Sequence, residues 1–117
     1  MTLETFSDFL VDEFRSRIAE LGAGNIAAFI AEPAQASGGV TIPPPRYLER
    51  MRDLCTENGI IFIADEIVTA FGRLGHMFAF YDEFGVVPDI IITAKGLTSG
   101  YIPLSAVIYS DVIHEII

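Results

Sequence analysis

The fold is decided by the stretch IIFIAD at residues 60–65, together with the matching stretch IIITAK at residues 90–95. Each is an apolar run of strand length that ends in a single charged residue, Asp65 in the first and Lys95 in the second. Short apolar runs of this kind are typical of strands buried on both faces. The 30 positions between the two charges leave room for one crossover and a parallel return. Because α/β proteins place functional groups at the carboxyl ends of parallel strands, this acid and base are the first candidates for a site.

The rest of the sequence supplies the helices and strands that surround these two stretches. Apolar residues recur at spacings of three and four through residues 3–21, which predicts an amphipathic helix, and residues 46–58 predict a second one. Apolar runs at residues 26–31 and 104–109 predict two further strands, and a short helical piece is expected within residues 77–83. This order predicts an α/β fold with a mostly parallel sheet flanked by helices.

Composition and charge narrow the class of protein. The net charge of −9 over 117 residues argues against nucleic acid as a partner, because the phosphate backbone would repel the chain. A hydrophobic content of 51% and a mean hydropathy of +0.47 are high for a small free-standing domain, which predicts a piece of something larger or an obligate oligomer. The single cysteine, Cys55, fits a reducing compartment. With no signal peptide or membrane span recognisable, a cytoplasmic protein without a membrane partner is expected.

The charged residues at the two strand ends are of the types that one cofactor requires. A lysine at the mouth of an apolar strand is expected to be partly desolvated, which makes its amine available as a nucleophile. Gly96, which follows Lys95, leaves space for a bulky adduct or a close backbone approach. A carboxylate on the neighbouring strand can be the counter-ion of a cationic ring nitrogen. A lysine and an acid in these roles are the two protein groups that pyridoxal phosphate requires.

Two other interpretations of these residues stay open from the pattern alone. Asp65 and Lys95 are equally well explained as ordinary charges that mark the ends of two strands. The apolar run before Asp65 and Glu66 also resembles the Walker B strand of a nucleotide hydrolase. That second interpretation requires a phosphate loop of the form G-x-x-x-x-G-K-[ST], and the sequence contains none.

Four motifs in a fixed order make the resemblance to one family specific. They are AEPAQASGGV at residues 31–40, IADEI at residues 63–67 with FGR at 71–73, PDI at residues 88–90, and AKGLTSGY at residues 94–101. With these motifs the sequence resembles the class III pyridoxal-phosphate-dependent aminotransferases, which have the fold type I architecture. The resemblance covers roughly residues 26–109.

The resemblance implies a role for three residues. Lys95 would be the catalytic residue, which holds the cofactor as a Schiff base and carries a proton during the reaction. Asp65 would bind the cofactor by pairing with the pyridine nitrogen. Ile67, expected to lie in an extended segment on the same side as Asp65, would pack its aliphatic side chain against one face of the cofactor ring.

Two departures from the family pattern indicate a branch. Members that act on ornithine or γ-aminobutyrate carry a glutamate where this sequence has Ser37, and a glutamine where it has Val68. Both differences favour the branch that moves amino groups from ω-amino acids, taurine-like compounds or amines onto pyruvate. The expected function is therefore pyridoxal-phosphate-dependent transamination between a small-molecule amino donor and an oxo-acid acceptor, with a homodimer as the full-length form.

The resemblance also implies which part of such an enzyme the sequence covers. Residues 1–117 are expected to be the central part of the large cofactor-binding domain, with the N-terminal segment and the small C-terminal domain absent. Such a fragment is expected to be inactive on its own. Two alternatives remain: an aminomutase or racemase on the same scaffold, and a non-catalytic remnant.

Overall fold

The structure, a computed structural model, describes residues 2–117. Helices and strands alternate along most of the chain, as the apolar pattern predicts for an α/β fold. Two short 3₁₀ turns, Ala23–Asn25 and Lys95–Thr98, add to the regular elements. The regular elements are, in order, α1 Leu3–Leu21, β1 Ala28–Ala31, α2 Tyr47–Asn58, β2 Ile61–Asp65, α3 Ala79–Asp82, β3 Ile90–Thr93, β4 Ala106–Tyr109 and α4 Asp111–His114.

The four strands form one sheet in the order β1-β2-β3-β4. The first three strands are parallel and β4 is antiparallel to β3, so the mostly parallel sheet is confirmed. In this register Ala31 of β1 lies beside Ala64, and Asp65 lies beside Ile92 of β3. The carboxyl ends of the parallel strands therefore meet at one edge of the sheet, where Asp65 and Lys95 are found.

Local sequence signals set the ends of the two long helices. The Thr2 hydroxyl caps α1 by accepting a hydrogen bond from the Thr5 amide, and Gly22 ends that helix with a positive φ of 79°. Gly59 ends α2 in the left-handed conformation. Arg46, predicted as the first residue of α2, instead precedes it in the left-handed conformation with φ 59°. Within residues 2–117, no helix combines the length and the apolar character that a membrane span requires.

The core lies between the long helices and one face of the sheet. Phe62 of β2 is at its centre, with its ring 5.4 Å from that of Phe29 and 5.5 Å from that of Phe80. The opposite face is open, because Ile30 is 56% exposed and Ile61 is 36% exposed. The high apolar content of the sequence is explained in part by this uncovered face. The other buried apolar residues of this core are Val11 and Ile18 of α1, Leu48, Met51, Leu54 and Cys55 of α2, Ala64 of β2, and Ile60, Phe80 and Val86.

One ion pair joins α2 to the start of β3. Asp89 accepts hydrogen bonds from both terminal nitrogens of Arg52 and from the Phe62 amide at 2.8 Å, and its own amide donates to the Phe62 carbonyl at 2.9 Å. Burial by itself raises the pKa of Asp89, but hydrogen bonds from Arg52 and Phe62 outweigh it, and the pKa is lowered from its ordinary value. These contacts fix the register of β2 against β3, and so the relative positions of their carboxyl ends.

Candidate cofactor site

Asp65 is the last residue of β2 and lies half-buried at the carboxyl edge of the sheet. Its Oδ1 accepts a hydrogen bond from the Ile67 amide at 3.0 Å, which fixes the orientation of the carboxylate. Within residues 2–117, Asp65 forms no ion pair, and its Oδ2 accepts no hydrogen bond. The structure therefore presents an oriented carboxylate whose charge is not compensated by a cation of the described chain.

Lys95 is the first residue of the 3₁₀ turn that follows β3. Its φ is +29°, in the region that residues with a side chain rarely adopt, and Ala94 before it has φ −155° and ψ −134°. Lys95 is exposed and makes no ion pair within the described residues. The partial desolvation that the sequence predicts is therefore not provided by this part of the chain. What the fold does provide is an unpaired amine on a backbone of unusual conformation.

A close approach between two loops brings the ends of β2 and β3 together. The pairing of these strands continues one step beyond Asp65, because the Glu66 amide donates to the Ile92 carbonyl at 2.9 Å. A Cβ placed on Gly96 would lie 2.9 Å from the Phe71 Cβ and 3.2 Å from the Ala70 carbonyl oxygen. Glycine is therefore required after Lys95 for the backbone approach that the sequence suggested.

The extended segment predicted around Ile67 is wrong. β2 ends at Asp65, and Ile67 lies in a turn that is closed by a hydrogen bond from the Ala70 amide to the Glu66 carbonyl at 3.2 Å. The alternation of side chains along a strand therefore does not determine which way Ile67 faces. Its backbone amide contacts the Asp65 carboxylate directly, and its role against the cofactor ring stays a prediction.

Glu66 is a polar group of the site that the sequence reasoning missed. Its side chain is fully buried and accepts hydrogen bonds from the Thr69 hydroxyl at 2.6 Å and from the Phe80 amide at 2.8 Å. A signal was present, because Glu66 follows a strand in which Phe62 and Ala64 point to the core at every second position. An acid at the next core-facing position must find hydrogen-bond donors.

Two more polar side chains lie near this edge. Glu32, directly after β1, is partly buried and accepts a long hydrogen bond of 3.4 Å from the Ala36 amide. The Thr93 hydroxyl, two residues before Lys95, is fully buried and has no hydrogen-bond partner among the described residues. An open groove of about 570 Å³ runs beside Lys95, with Thr98 and residues 102–105 along its wall.

The residues at this edge fit pyridoxal phosphate. The cofactor has an aldehyde that reacts with a primary amine and a ring nitrogen that is cationic when protonated. Lys95 supplies an amine without an ion-pair partner, and Asp65 supplies a carboxylate without a cation, both within the described chain. The adjacent parallel strands β2 and β3 carry them to the same edge of the sheet.

Comparisons with known proteins agree with this chemistry. The sequence matches the model of the aminotransferase class-III family over residues 4–117. It is 42% identical to the putrescine–pyruvate aminotransferase of Pseudomonas aeruginosa over 117 residues, which cover 100% of this chain and 25% of that protein. It is also 42% identical to the vanillin aminotransferase of Capsicum frutescens, over 99% of this chain and 25% of that protein. The chain thus spans about a quarter of the length of the curated relatives it matches.

Solved structures give the same result for the fold. A thermostable (S)-enantioselective ω-transaminase from Thermomicrobium roseum is 45% identical with a TM-score of 0.95, over 98% of this chain and 26% of that one. An amine transaminase from an uncultivated Pseudomonas species, solved with pyridoxal phosphate bound, is 45% identical with a TM-score of 0.93, over 97% of this chain and 26% of that one. The sheet described above is therefore the fold type I sheet of these transaminases, and the chain belongs to the class III aminotransferase family.

Proposed function

We propose that these residues serve pyridoxal-phosphate-dependent transamination, in which an ω-amino acid or amine gives its amino group to an oxo acid such as pyruvate. The observation that carries this proposal is the placement of Asp65 and Lys95 at the ends of adjacent parallel strands, where, among residues 2–117, the carboxylate has no cation partner and the amine has no acid partner. Bound pyridoxal phosphate supplies an electron-accepting ring that weakens the bonds at the Cα of the amino donor.

Asp65 would hold the proton on the ring nitrogen of the bound cofactor. A carboxylate stabilises the protonated ring best when its orientation is fixed before the cofactor arrives. The hydrogen bond from the Ile67 amide to Oδ1 provides that orientation and leaves Oδ2 for the ring nitrogen. Ile67 is proposed to contact one face of the ring through its aliphatic side chain.

Lys95 has two tasks in this proposal. Its Nζ would be the covalent attachment point of the cofactor, and its amine, once free, would hold the proton that leaves the Cα of the amino donor. An amine that makes no ion pair with the described part of the chain is suited to both tasks, because no salt bridge there must be broken before it moves. The exposed position of Lys95 beside an open groove is consistent with access for the cofactor and the donor.

The names of the relatives support the substrate class that we propose. Pyruvate appears in the name of the putrescine–pyruvate enzyme, and the structural neighbours are called ω- and amine transaminases. From these names we propose a small-molecule amino donor and an oxo-acid acceptor. We also propose a cytoplasmic homodimer as the full-length form, with residues 1–117 forming the central part of the large domain. The uncovered face of the sheet, where Ile30 and Ile61 are exposed, is consistent with such a larger assembly. The names of these relatives do not favour an aminomutase or racemase.

Covalent labelling tests the proposal. Lys95 is the only lysine of the sequence, so borohydride reduction in the presence of pyridoxal phosphate has a single side-chain target. We expect a phosphopyridoxyl group on the peptide that contains Lys95 and none on that peptide in Lys95→Ala. Because an exposed lysine also reacts without a site, Asp65→Asn is the matched control. It keeps the amine and removes the acid, and we expect it to weaken labelling at low cofactor concentration. Labelling that is equally efficient in Asp65→Asn would contradict the proposed site.

A further inference from the structure

Glu66 makes four hydrogen bonds at the point where β2 leaves the sheet. Its side chain accepts one from the Thr69 hydroxyl at 2.6 Å and one from the Phe80 amide at 2.8 Å. Its amide donates to the Ile92 carbonyl at 2.9 Å, and its carbonyl accepts from the Ala70 amide at 3.2 Å. The residue is fully buried and has no ion-pair partner within residues 2–117. Burying a carboxylate is costly, so these contacts are what allow it to occupy this position.

The side chain of Glu66 closes a loop, which we call the 66–80 loop after its residues. Inside the loop the chain doubles back, because the Phe71 amide donates to the Met77 carbonyl and the Gly72 amide donates to the His76 carbonyl, both at 2.9 Å. The hydrogen bond from the Phe80 amide to Glu66 then returns the end of the loop to its beginning. Phe80 itself is buried against Phe62. The buried Phe80 side chain thus holds the end of the loop in the core. The Glu66 carboxylate binds both ends of the loop, through the Thr69 hydroxyl and the Phe80 amide.

The near side of the 66–80 loop rests on the residue that follows Lys95. The space at Gly96 is so narrow that a Cβ there would lie 2.9 Å from the Phe71 Cβ and 3.2 Å from the Ala70 carbonyl oxygen. Phe71 has a positive φ of 60°, a conformation that needs support from its surroundings. Any movement of Ala70 or Phe71 would therefore displace Gly96 and the backbone of Lys95.

We propose that Glu66 is a positioning residue, which fixes Asp65 and Lys95 relative to one another through the 66–80 loop. Glu66 is bonded to Asp65, its amide is tied to β3 at Ile92, and its carboxylate holds the turn that presses on Gly96. It thereby controls both functional groups without touching the cofactor. The inference rests on the proposed function, because that function is what requires Asp65 and Lys95 to be held in place. The contact between the 66–80 loop and Gly96 can be tested without cofactor.

Two substitutions of Glu66 separate the hydrogen bonds from the charge. Glu66→Gln keeps both contacts, because the amide oxygen accepts from the Phe80 amide while the amide nitrogen donates to the Thr69 hydroxyl. Glu66→Ala leaves these two donors buried and without a partner. Leu54→Ala is the control for lost stability, since Leu54 is buried in α2 and belongs to neither the loop nor the site. Gly96→Ala perturbs the same contact from the other side and changes neither of the residues that donate to the Glu66 carboxylate, Thr69 and Phe80.

The first measurement is hydrogen exchange in the absence of cofactor. In Glu66→Ala we expect faster exchange in the 66–80 loop and also in residues 95–99, whose turn is held by hydrogen bonds such as the one from the Leu97 amide to the Ala94 carbonyl at 2.8 Å. Glu66→Gln is expected to keep the protection of the parent protein in both segments. In Leu54→Ala, we expect residues 95–99 to exchange no faster than the rest of the sheet edge. If Glu66→Ala speeds hydrogen exchange in the 66–80 loop but not in residues 95–99, the proposal is overturned.

The second measurement is the dissociation constant of pyridoxal phosphate, followed by absorbance. We expect an increase of at least about tenfold in Glu66→Ala and in Gly96→Ala, which corresponds to about 1.4 kcal/mol, and a change below about threefold in Glu66→Gln and Leu54→Ala. Equal losses in Glu66→Ala and Leu54→Ala would show that Glu66 acts only through stability, and would overturn the proposal. If Glu66→Ala does not fold, an unchanged constant in Gly96→Ala overturns it. If the parent protein binds no cofactor, that result contradicts the proposed function and not the role of Glu66. The hydrogen-exchange pattern then decides whether Glu66 positions residues 95–99.

Discussion

Removing the charge of Asp89 should destabilise the protein more than removing any exposed acid. The carboxylate accepts hydrogen bonds from both terminal nitrogens of Arg52 and from the Phe62 amide, and the side chains of Arg52 and Asp89 are only 25% and 28% exposed. In Asp89→Asn the amide nitrogen would face one of these donors, and the Arg52 guanidinium would lose its counter-charge. Hydrogen bonds to charged groups contribute about 1.5–3 kcal/mol each, and breaking a fully buried pair costs about 3–5 kcal/mol. Because this pair is partly exposed, we expect a loss of about 2 kcal/mol.

The assay is urea unfolding at neutral pH, with Asp53→Asn as the matched control. Asp53 is an exposed acid on the same helix as Arg52 and makes no ion pair within the described residues. We expect its substitution to change the free energy of unfolding by less than about 0.5 kcal/mol. Equal effects of Asp89→Asn and Asp53→Asn would refute the reasoning that Asp89 fixes the register of β2 and β3.

The same ion pair predicts the direction of a pH dependence. The pKa of Asp89 is lowered in the folded protein, where hydrogen bonds from Arg52 and Phe62 outweigh the opposing effect of burial. A group with a depressed pKa contributes stability that is fully present above its unfolded pKa of about 3.9 and is lost as the pH falls through the folded value. The difference in unfolding free energy between the parent protein and Asp89→Asn should therefore shrink in acid. A difference that grows as the pH falls would contradict this assignment.

Three further predictions concern single residues near the sheet. Thr93→Val should raise the free energy of unfolding by about 1 kcal/mol, because the buried hydroxyl has no partner among the described residues; a urea midpoint that falls instead would show that the hydroxyl is satisfied. Lys95→Gly should be about 1 kcal/mol more stable than Lys95→Ala, because φ is positive there, and the opposite order in thermal unfolding would refute the strain. Burial raises the pKa of Cys55 to about 11. Iodoacetamide at pH 8.5 should therefore modify the thiol in the urea-unfolded protein and leave it unmodified in the folded one. Rapid loss of the thiol in the folded protein would count against a buried, protonated Cys55.

The placement of Asp65 and Lys95 was predictable because it depends on local pattern. Apolar runs of four or five residues define β2 and β3, and the first charge after each run lies at the carboxyl end of β2 and two residues beyond that of β3. Their separation allows one right-handed crossover, which makes the strands parallel and brings both ends to one edge. Nothing beyond the sequence was needed for that step.

The conformations around the site depend on distant contacts and were not predictable. Ile67 leaves the strand because Ala70 closes a turn onto Glu66, and Glu66 is satisfied by Phe80, which lies 14 positions later. The positive φ of Lys95 is a property of how the turn after β3 packs, and no pattern of residue types indicates it for a lysine. Contacts over such distances arise only once the chain has folded.

The most direct test of the central claim is a crystal structure of the protein with pyridoxal phosphate. We predict continuous density from the Lys95 Nζ into the cofactor, with the ring nitrogen within about 2.6–3.2 Å of the Asp65 carboxylate. A cofactor that is attached to Lys95 but has its ring nitrogen against solvent or another residue would contradict the account, and so would a cofactor bound away from this edge of the sheet.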